Sequence, residues 1–315
     1  MRLDNEQPTS IKTGVTKKMN RKLAHVLMIF TVTSWGFEYA LAKDAMHAIE
    51  PITLVCFKYT VALLVIALVK FKLEGRSGMK RADIFLFMLC AATGEVLYFY
   101  MEYEAMNYMP VSLITILLTF VPVVSIFVEW IAFKIAPSIA LLVGVAVSLC
   151  GLVLIVGVDV DTIFEGKIIG YLLCIGAVLS WNIYNFITSS LGGRYQPLTL
   201  TFNQLTCTVL LSWPLALANM PNFNDITGVI IAEVVYLGVV SGGIGFVIYV
   251  AALYTLGPTT VSVYANFMPI SATFFGWILL NEMITGVQMM GGLIVIGAGY
   301  FVIREKGRLE EKLRV

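Results

Sequence analysis

The chain has 315 residues, 59% apolar and 13% charged, with a mean hydropathy of +0.87 and a formal net charge of +1. Soluble domains carry about 25% charged and about 45–50% apolar residues, so an ordinary water-soluble protein is excluded and a bilayer is the expected solvent. The near-zero balance gives no basic face for nucleic acid, and five cysteines inside apolar runs, with only His25 and His47 besides, exclude a disulfide framework and a histidine-rich metal centre.

In chain order, a basic segment at 1–22 precedes apolar runs at 23–43, 51–71, 83–103, 109–133, 138–157, 167–189, 198–218, 229–254, 259–280 and 285–303, with a polar tail at 304–315. Each run is near the ~20 residues that cross ~30 Å of hydrocarbon. Lipid cannot satisfy backbone N–H and C=O groups, so the runs are predicted helices. The first run is longer than the apolar stretch of a signal peptide and holds Trp35 and Glu38, so it reads as a retained span. Basic residues at the two ends, between spans 2 and 3, and at the 4–5 and 6–7 turns put 18 of the 21 lysines and arginines on one side. The positive-inside rule then predicts a cell-membrane protein with both termini in the cytoplasm.

The two halves match at an offset of about 147 residues. Val32-Thr33-Ser34-Trp35 reads against Val178-Leu179-Ser180-Trp181, and Phe120-Val121-Pro122 against Phe267-Met268-Pro269. Ala105 aligns with Ala252, and Gly144 and Gly151 repeat the spacing of Gly292 and Gly299. An odd number of spans per copy means that the second copy enters the membrane from the opposite side. The predicted fold is therefore all-α and integral to the membrane, with ten transmembrane helices in two inverted five-helix repeats, 23–157 and 167–303.

This pattern resembles the EamA-type branch of the drug/metabolite transporter superfamily. Each unit has a tryptophan-bearing first helix, a proline in the fourth and a glycine-rich fifth. Phe267-Met268-Pro269-Ile270 followed by Leu279-Leu280-Asn281-Glu282 is similar to the branch's signature at the end of its ninth helix, although the first half has Ile135 where the second has Glu282. The resemblance covers about 23–303 and implies transport of a small metabolite, often amino-acid or drug efflux, through a pocket between the repeats.

A charge at the bilayer centre costs several kcal/mol, so intramembrane polar residues should face a cavity or a partner. Thr31, Trp35 and Glu38 form one stripe on helix 1, with Ser180, Trp181, Tyr184 and Asn185 at repeat-related positions on helix 6. Glu95, Tyr98 and Glu102 share a predicted face of helix 3, with Glu102 near the outer rim, where solvated charge is the expected state. Thr115, Thr119 and Pro122 on helix 4 are answered by Ser262, Asn266 and Pro269 on helix 9. These paired stripes read as pocket lining, with interhelical hydrogen bonding as the plainer alternative. The prolines read as kinks or gates.

Lys58 lies at the depth of Glu38, so an ion pair between them competes with a cavity-facing Glu38 that meets a cation or carries a proton. Glu95 has no basic residue at its depth, which makes it a candidate for ammonium binding or proton coupling. The expected substrate-binding set is therefore Trp35, Glu38, Glu95, Tyr98, Thr115, Thr119, Trp181, Tyr184, Ser262 and Asn266.

The expected activity is secondary transport, as an exporter of amino acids or related amines, by alternating access at a midplane cavity. A passive facilitator and a drug or vitamin transporter are the alternatives on the same fold. An organic-phosphate antiporter would want several intramembrane arginines or lysines, and a channel usually draws its pore from subunit symmetry. A membrane enzyme would want H-E-x-x-H or G-x-S-x-G, and nucleotide hydrolysis a P-loop; the chain has none of these. The expected partners are a small-molecule substrate, a proton and the lipid bilayer, with no cofactor and no metal; the sequence sets no oligomeric state.

Overall fold

The computed structural model describes residues 19–75, 78–134, 136–157, 167–280 and 284–314. The basic residues before 19, Arg76, Ile135, the acidic run from Asp159 to Glu165 and the Asn281-Glu282 pair lie outside these residues. In chain order the helical stretches are α1 (Arg21–Ala45), α2 (Pro51–Leu73), α3 (Arg81–Ala105), α4 (111–133), α5 (Ile139–Val156), α6 (Ile168–Leu191), α7 (Pro197–Leu217), α8 (Gly228–Leu256), α9 (258–280) and α10 (Gly286–Arg314). Among the described residues there is no strand, and every stretch except α1 and α9 holds a helix long and apolar enough to cross a membrane. The protein is an all-helical integral membrane protein.

Local chemistry sets the helix limits. Asn20 caps α1 by accepting from the Lys22 N–H at 2.9 Å, Ser138 caps α5 through the Leu141 N–H at 3.1 Å, and Thr227 caps α8 through the Ile230 N–H at 3.3 Å. Proline opens α2 and α7, where a missing N–H costs nothing. Gly157 and Gly257 end α5 and α8 at positive φ, 65° and 85°, a region that glycine enters without strain. The tail expected after 303 continues α10 as helix to Arg314, because its Arg, Glu, Lys and Leu residues are good helix formers.

The contacts between helices show the inversion. α5 packs against α10 in the opposite direction, with Gly144 against Val302 and Gly151 against Ile294. α2 and α7 are also antiparallel: Thr53 donates to the Asn219 carbonyl at one end, and Glu74 accepts from the Thr199 N–H and hydroxyl at the other. α1 packs on α8 and α9 as α6 packs on α3 and α4, and α2 meets α8 as α7 meets α3. Exchanging each helix for the one five later reproduces these pairings.

Departures from regular helix repeat as well. α3 holds a widened turn of i→i+5 hydrogen bonds at Ala91–Leu97, and α8 holds one at Leu237–Gly245. α4 is broken between Val111–Leu118 and Val121–Phe133, and α9 tightens to a 3-10 turn at Tyr264–Phe267. Pro122 and Pro269 each fall in the first turn of the helical segment that follows these departures.

Candidate functional site

A cleft opens between the repeats, walled by α1, α3 and α4 of the first and by α6, α8 and α9 of the second. Trp35 and Glu38 come from α1; Tyr98, Phe99, Glu102 and Tyr103 from α3; Trp181 from α6; and Tyr249 from α8. Trp35 and Trp181, the repeat-related pair, meet edge to face with ring centroids 6.0 Å apart. Tyr98 packs on Trp181 at 4.5 Å and Tyr249 on Trp35 at 5.1 Å. Each such aromatic pair contributes about 0.5–1.5 kcal/mol beyond its buried area, so the wall is stiff. Both indoles are committed: Trp35 donates to the Ser241 carbonyl at 3.3 Å, and Trp181 to the Tyr249 hydroxyl at 3.0 Å.

The acidic residues occupy three environments. Glu38 forms a buried ion pair with Lys58 through Oε1, which also accepts from the Tyr103 hydroxyl at 2.6 Å. The Lys58 ammonium lies 3.5 Å from the centre of the Phe99 ring, so carboxylate and π-face together compensate its removal from water. The ion pair expected from matching depth is therefore present, and Glu38 lines the cleft as well.

Glu102 differs from expectation. It is only 3% exposed, lines the cleft, and accepts at Oε1 from the hydroxyls of Tyr39 at 2.7 Å and Tyr98 at 3.0 Å. A rim location was read from its place near the end of α3, but the surrounding helices close over it. Both hydroxyls address the same oxygen, which leaves Oε2 for the cleft. Glu233 on α8, near the same membrane face by sequence, is likewise buried.

Glu95 does not share the cleft with Tyr98 and Glu102. The widened turn at Ala91–Leu97 breaks the 3.6-residue register between them. Glu95 is fully buried away from the lining, and neither carboxylate oxygen has a hydrogen-bond partner. Tyr184 is also buried outside the lining; its ring fills the space in which a side chain at Gly94 would sit, 2.2 Å from an ideal Cβ.

The polar stripes of α4 and α9 are not on the cleft wall either. Thr119 donates to the Ile116 carbonyl, Ser262 to the Thr259 carbonyl, and Asn266 to the Ser148 hydroxyl of α5 at 2.9 Å. Thr115 is buried outside the lining. The wall uses the neighbouring apolar positions Leu118 and Val121 on α4 and Val261, Ala265 and Met268 on α9. For these residues interhelical and intrahelical bonding, the plainer alternative, describes what the side chains do.

Sequence reasoning missed Tyr39, Glu102, Tyr103 and Tyr249 as members of the site. The repeat offset carried a usable signal: Tyr249 is the counterpart of Glu102, Asn185 that of Tyr39, and Gln204 that of Lys58. Tyr249 donates to Asn185 Oδ1 at 2.9 Å, the mirror of the Tyr39–Glu102 bond.

Comparison with known proteins agrees with this architecture. The sequence profile described as the EamA-like transporter family matches twice, at 22–157 and 168–304. An "Uncharacterized transporter" of Archaeoglobus fulgidus is 26% identical, covering 90% of this chain and 97% of its own. A "Probable terminal-alkyne amino-acid exporter" of Streptantibioticus cattleyicolor is 24% identical, over 90% of this chain and 95% of its own. A crystal structure superposes with a TM-score of 0.73 at 15% identity, covering 90% of this chain and 99% of that one, which supports the fold.

Proposed function

We propose, from the premise that the chain belongs to the EamA-like transporter family, that it exports small organic molecules bearing an ammonium group, amino acids or related amines. It is a membrane transporter rather than an enzyme; the substrate class, the direction and the mechanism are the proposal. The observation that carries it is Glu102, a buried carboxylate held at one oxygen by Tyr39 and Tyr98 in a cleft walled by Trp35, Trp181 and Tyr249. A carboxylate facing aromatic rings suits an organic cation, because the charge-assisted bond and the ring faces both favour it. The printed name of the Streptantibioticus relative adds support for amino-acid export.

In this reading the apolar part of the substrate lies against Trp35, Trp181 and Tyr98, while Glu102 and Glu38 meet the ammonium. Rocking of one repeat against the other opens the cleft to alternate sides. The irregular turns before Pro122 and Pro269 serve as hinges, and the bond of Asn266 to Ser148 ties α9 to α5. Both termini face the cytoplasm of the cell membrane, following the basic residues.

The test is uptake into proteoliposomes of radiolabelled amino acids, phenylethylamine and a neutral vitamin, comparing the wild type with Glu102→Gln. Glutamine keeps an acceptor for both tyrosines but removes the charge. Flux of the ammonium-bearing probes is expected to fall about tenfold, the size of a lost charge-assisted bond. Equal flux in both proteins sinks the assignment, and flux of the neutral vitamin alone moves the substrate to that class.

A further inference from the structure

The group that the cleft leaves unused is Glu95. It is 0% exposed, and neither of its oxygens has a partner in hydrogen-bond geometry, the nearby Thr208 hydroxyl donating to the Gln204 carbonyl at 3.0 Å. Around it, other buried polar atoms are also unspent: the hydroxyls of Tyr59 and Tyr184 and the side-chain oxygen of Gln204. Native proteins leave few such atoms, so several converging on one carboxyl call for an explanation.

The titratable groups within electrostatic reach of Glu95 are Tyr59 from α2, Cys90 on α3 itself, Tyr184 from α6 and Cys207 from α7. Thr208 of α7 is beside it, and Gln204 donates its amide to Thr188. Lys58 of α2 is engaged by Glu38. Among the described residues the neighbourhood is thus polar but supplies no positive charge.

We propose that Glu95 is the proton-coupling site of the transporter, separate from the substrate cleft. It would take up a proton from the water on one side of the membrane and release it on the other. This rests on the transport reading of the cleft and adds the coupling ion to it.

The geometry provides a link to the cleft. A charged Glu95 cut off from water needs donors, and the unspent ones are the hydroxyls of Tyr59 and Tyr184. The Tyr184 ring packs against Trp181 with centroids 5.0 Å apart, and the Tyr59 ring against Phe99 at 5.8 Å; Trp181 and Phe99 both line the cleft. A neutral Glu95 leaves the two tyrosines as they stand, whereas deprotonation draws their hydroxyls toward the carboxylate and moves the rings that back the wall. Proton loss and the shape of the substrate site are therefore tied through two side chains. A proton needs one acceptor, which Glu95 is; a sodium ion needs a shell of oxygens, and two of the neighbours are thiols.

The experiment uses proteoliposomes of the full chain with membrane potential clamped, given outside a radiolabelled amino acid that the wild type carries, with protein-free vesicles as the blank. One proton exchanged per substrate gives about tenfold accumulation per pH unit of gradient. Glu95→Gln is expected to keep substrate exchange at zero gradient and to lose accumulation driven by pH, with Glu95→Asp restoring part of it. Infrared difference spectra of the same proteins between acid and alkaline pH should show a carboxylic-acid carbonyl band that Glu95→Gln removes and Glu102→Gln leaves.

Undiminished pH-driven accumulation in folded Glu95→Gln overturns the proposal, as does accumulation driven by a sodium gradient instead. Downhill flux in the wild type without response to pH overturns coupling but leaves the transport reading intact. If no ammonium-bearing probe moves at all, the substrate reading fails, and the infrared band still decides whether Glu95 exchanges a proton.

Discussion

The two repeats place side chains at matched positions and fill them with opposite chemistry. In the first repeat, Glu38, Lys58 and Glu102 form a charged cluster held by Tyr39, Tyr98 and Tyr103. In the second, the counterparts of Glu38, Lys58, Glu102 and Tyr39 are Tyr184, Gln204, Tyr249 and Asn185, all neutral. Even the widened turns differ in this sense. Gly242 of α8 leaves room for the Lys58 side chain, whose Cε lies 3.4 Å from an ideal Cβ there, whereas its counterpart on α3 is Glu95. One backbone architecture thus supports a charged wall and a neutral wall, which makes the cleft polar on one side only. Symmetry of fold sets the helix pairings, and asymmetry of side chains sets the chemistry of the cleft.

The sharpest break of this comparison is Lys58→Met against Gln204→Met. The first leaves Glu38 as an uncompensated buried carboxylate, at a cost of about 3–5 kcal/mol; the second removes a single bond to Thr188, at about 1 kcal/mol. Thermal unfolding in detergent should separate them clearly. The double variant Glu38→Gln/Lys58→Met should recover much of the loss, and no recovery would mean that the pair is not the unit that the packing suggests.

Next in size is the glycine at the start of the widened turn in α8. An added Cβ at Gly238 would lie 2.5 Å from Val61 and 2.8 Å from the Lys58 carbonyl, while the counterpart on α3 is Ala91. Gly238→Ala is expected to cost about 1–3 kcal/mol as overpacking, read as a lower midpoint in denaturant. An unchanged midpoint would show that α2 and α8 are not packed this closely.

Smaller is Tyr249→Phe, which unpartners the Trp181 indole and Asn185 Oδ1. About 1–2 kcal/mol is expected, together with a blue shift of Trp fluorescence as the buried indole loses its polar partner. Smallest is Arg194→Ala. The Arg194 side chain is 49% exposed, and Tyr195 continues to donate to Asp83 at 2.7 Å, so the loss should stay within about 1 kcal/mol. A larger loss would make the α3–α6 end a structural anchor.

Much of the fold could be read from the chain because lipid imposes simple demands. Apolar runs of helical length marked the helices, and the offset of about 147 marked the repeat. The Glu38–Lys58 pair was one of the two readings that matching depth allowed. The site was less legible. Glu95, Tyr98 and Glu102 share a face only on a regular helix, and the widened turn separates Glu95 from the other two. Thr119 and Ser262 looked like pocket residues because they are polar, yet their hydroxyls bond carbonyls of their own helices. Glu102 looked solvated because it is near a helix end, and only its neighbours make it buried.

The sequence by itself determined the solvent, the helices, the duplication and the scarcity of intramembrane charge, since each depends on composition and period along one chain. Tertiary structure decided which face of each helix meets the cleft, that Glu102 belongs to it and that Glu95 stands apart. Those outcomes depend on helix rotation and on contacts between α1, α3, α6 and α8. A shift of one residue in hydrogen bonding turns a helix face by about 100°, and no pattern in a single chain reports that shift before the helices are packed.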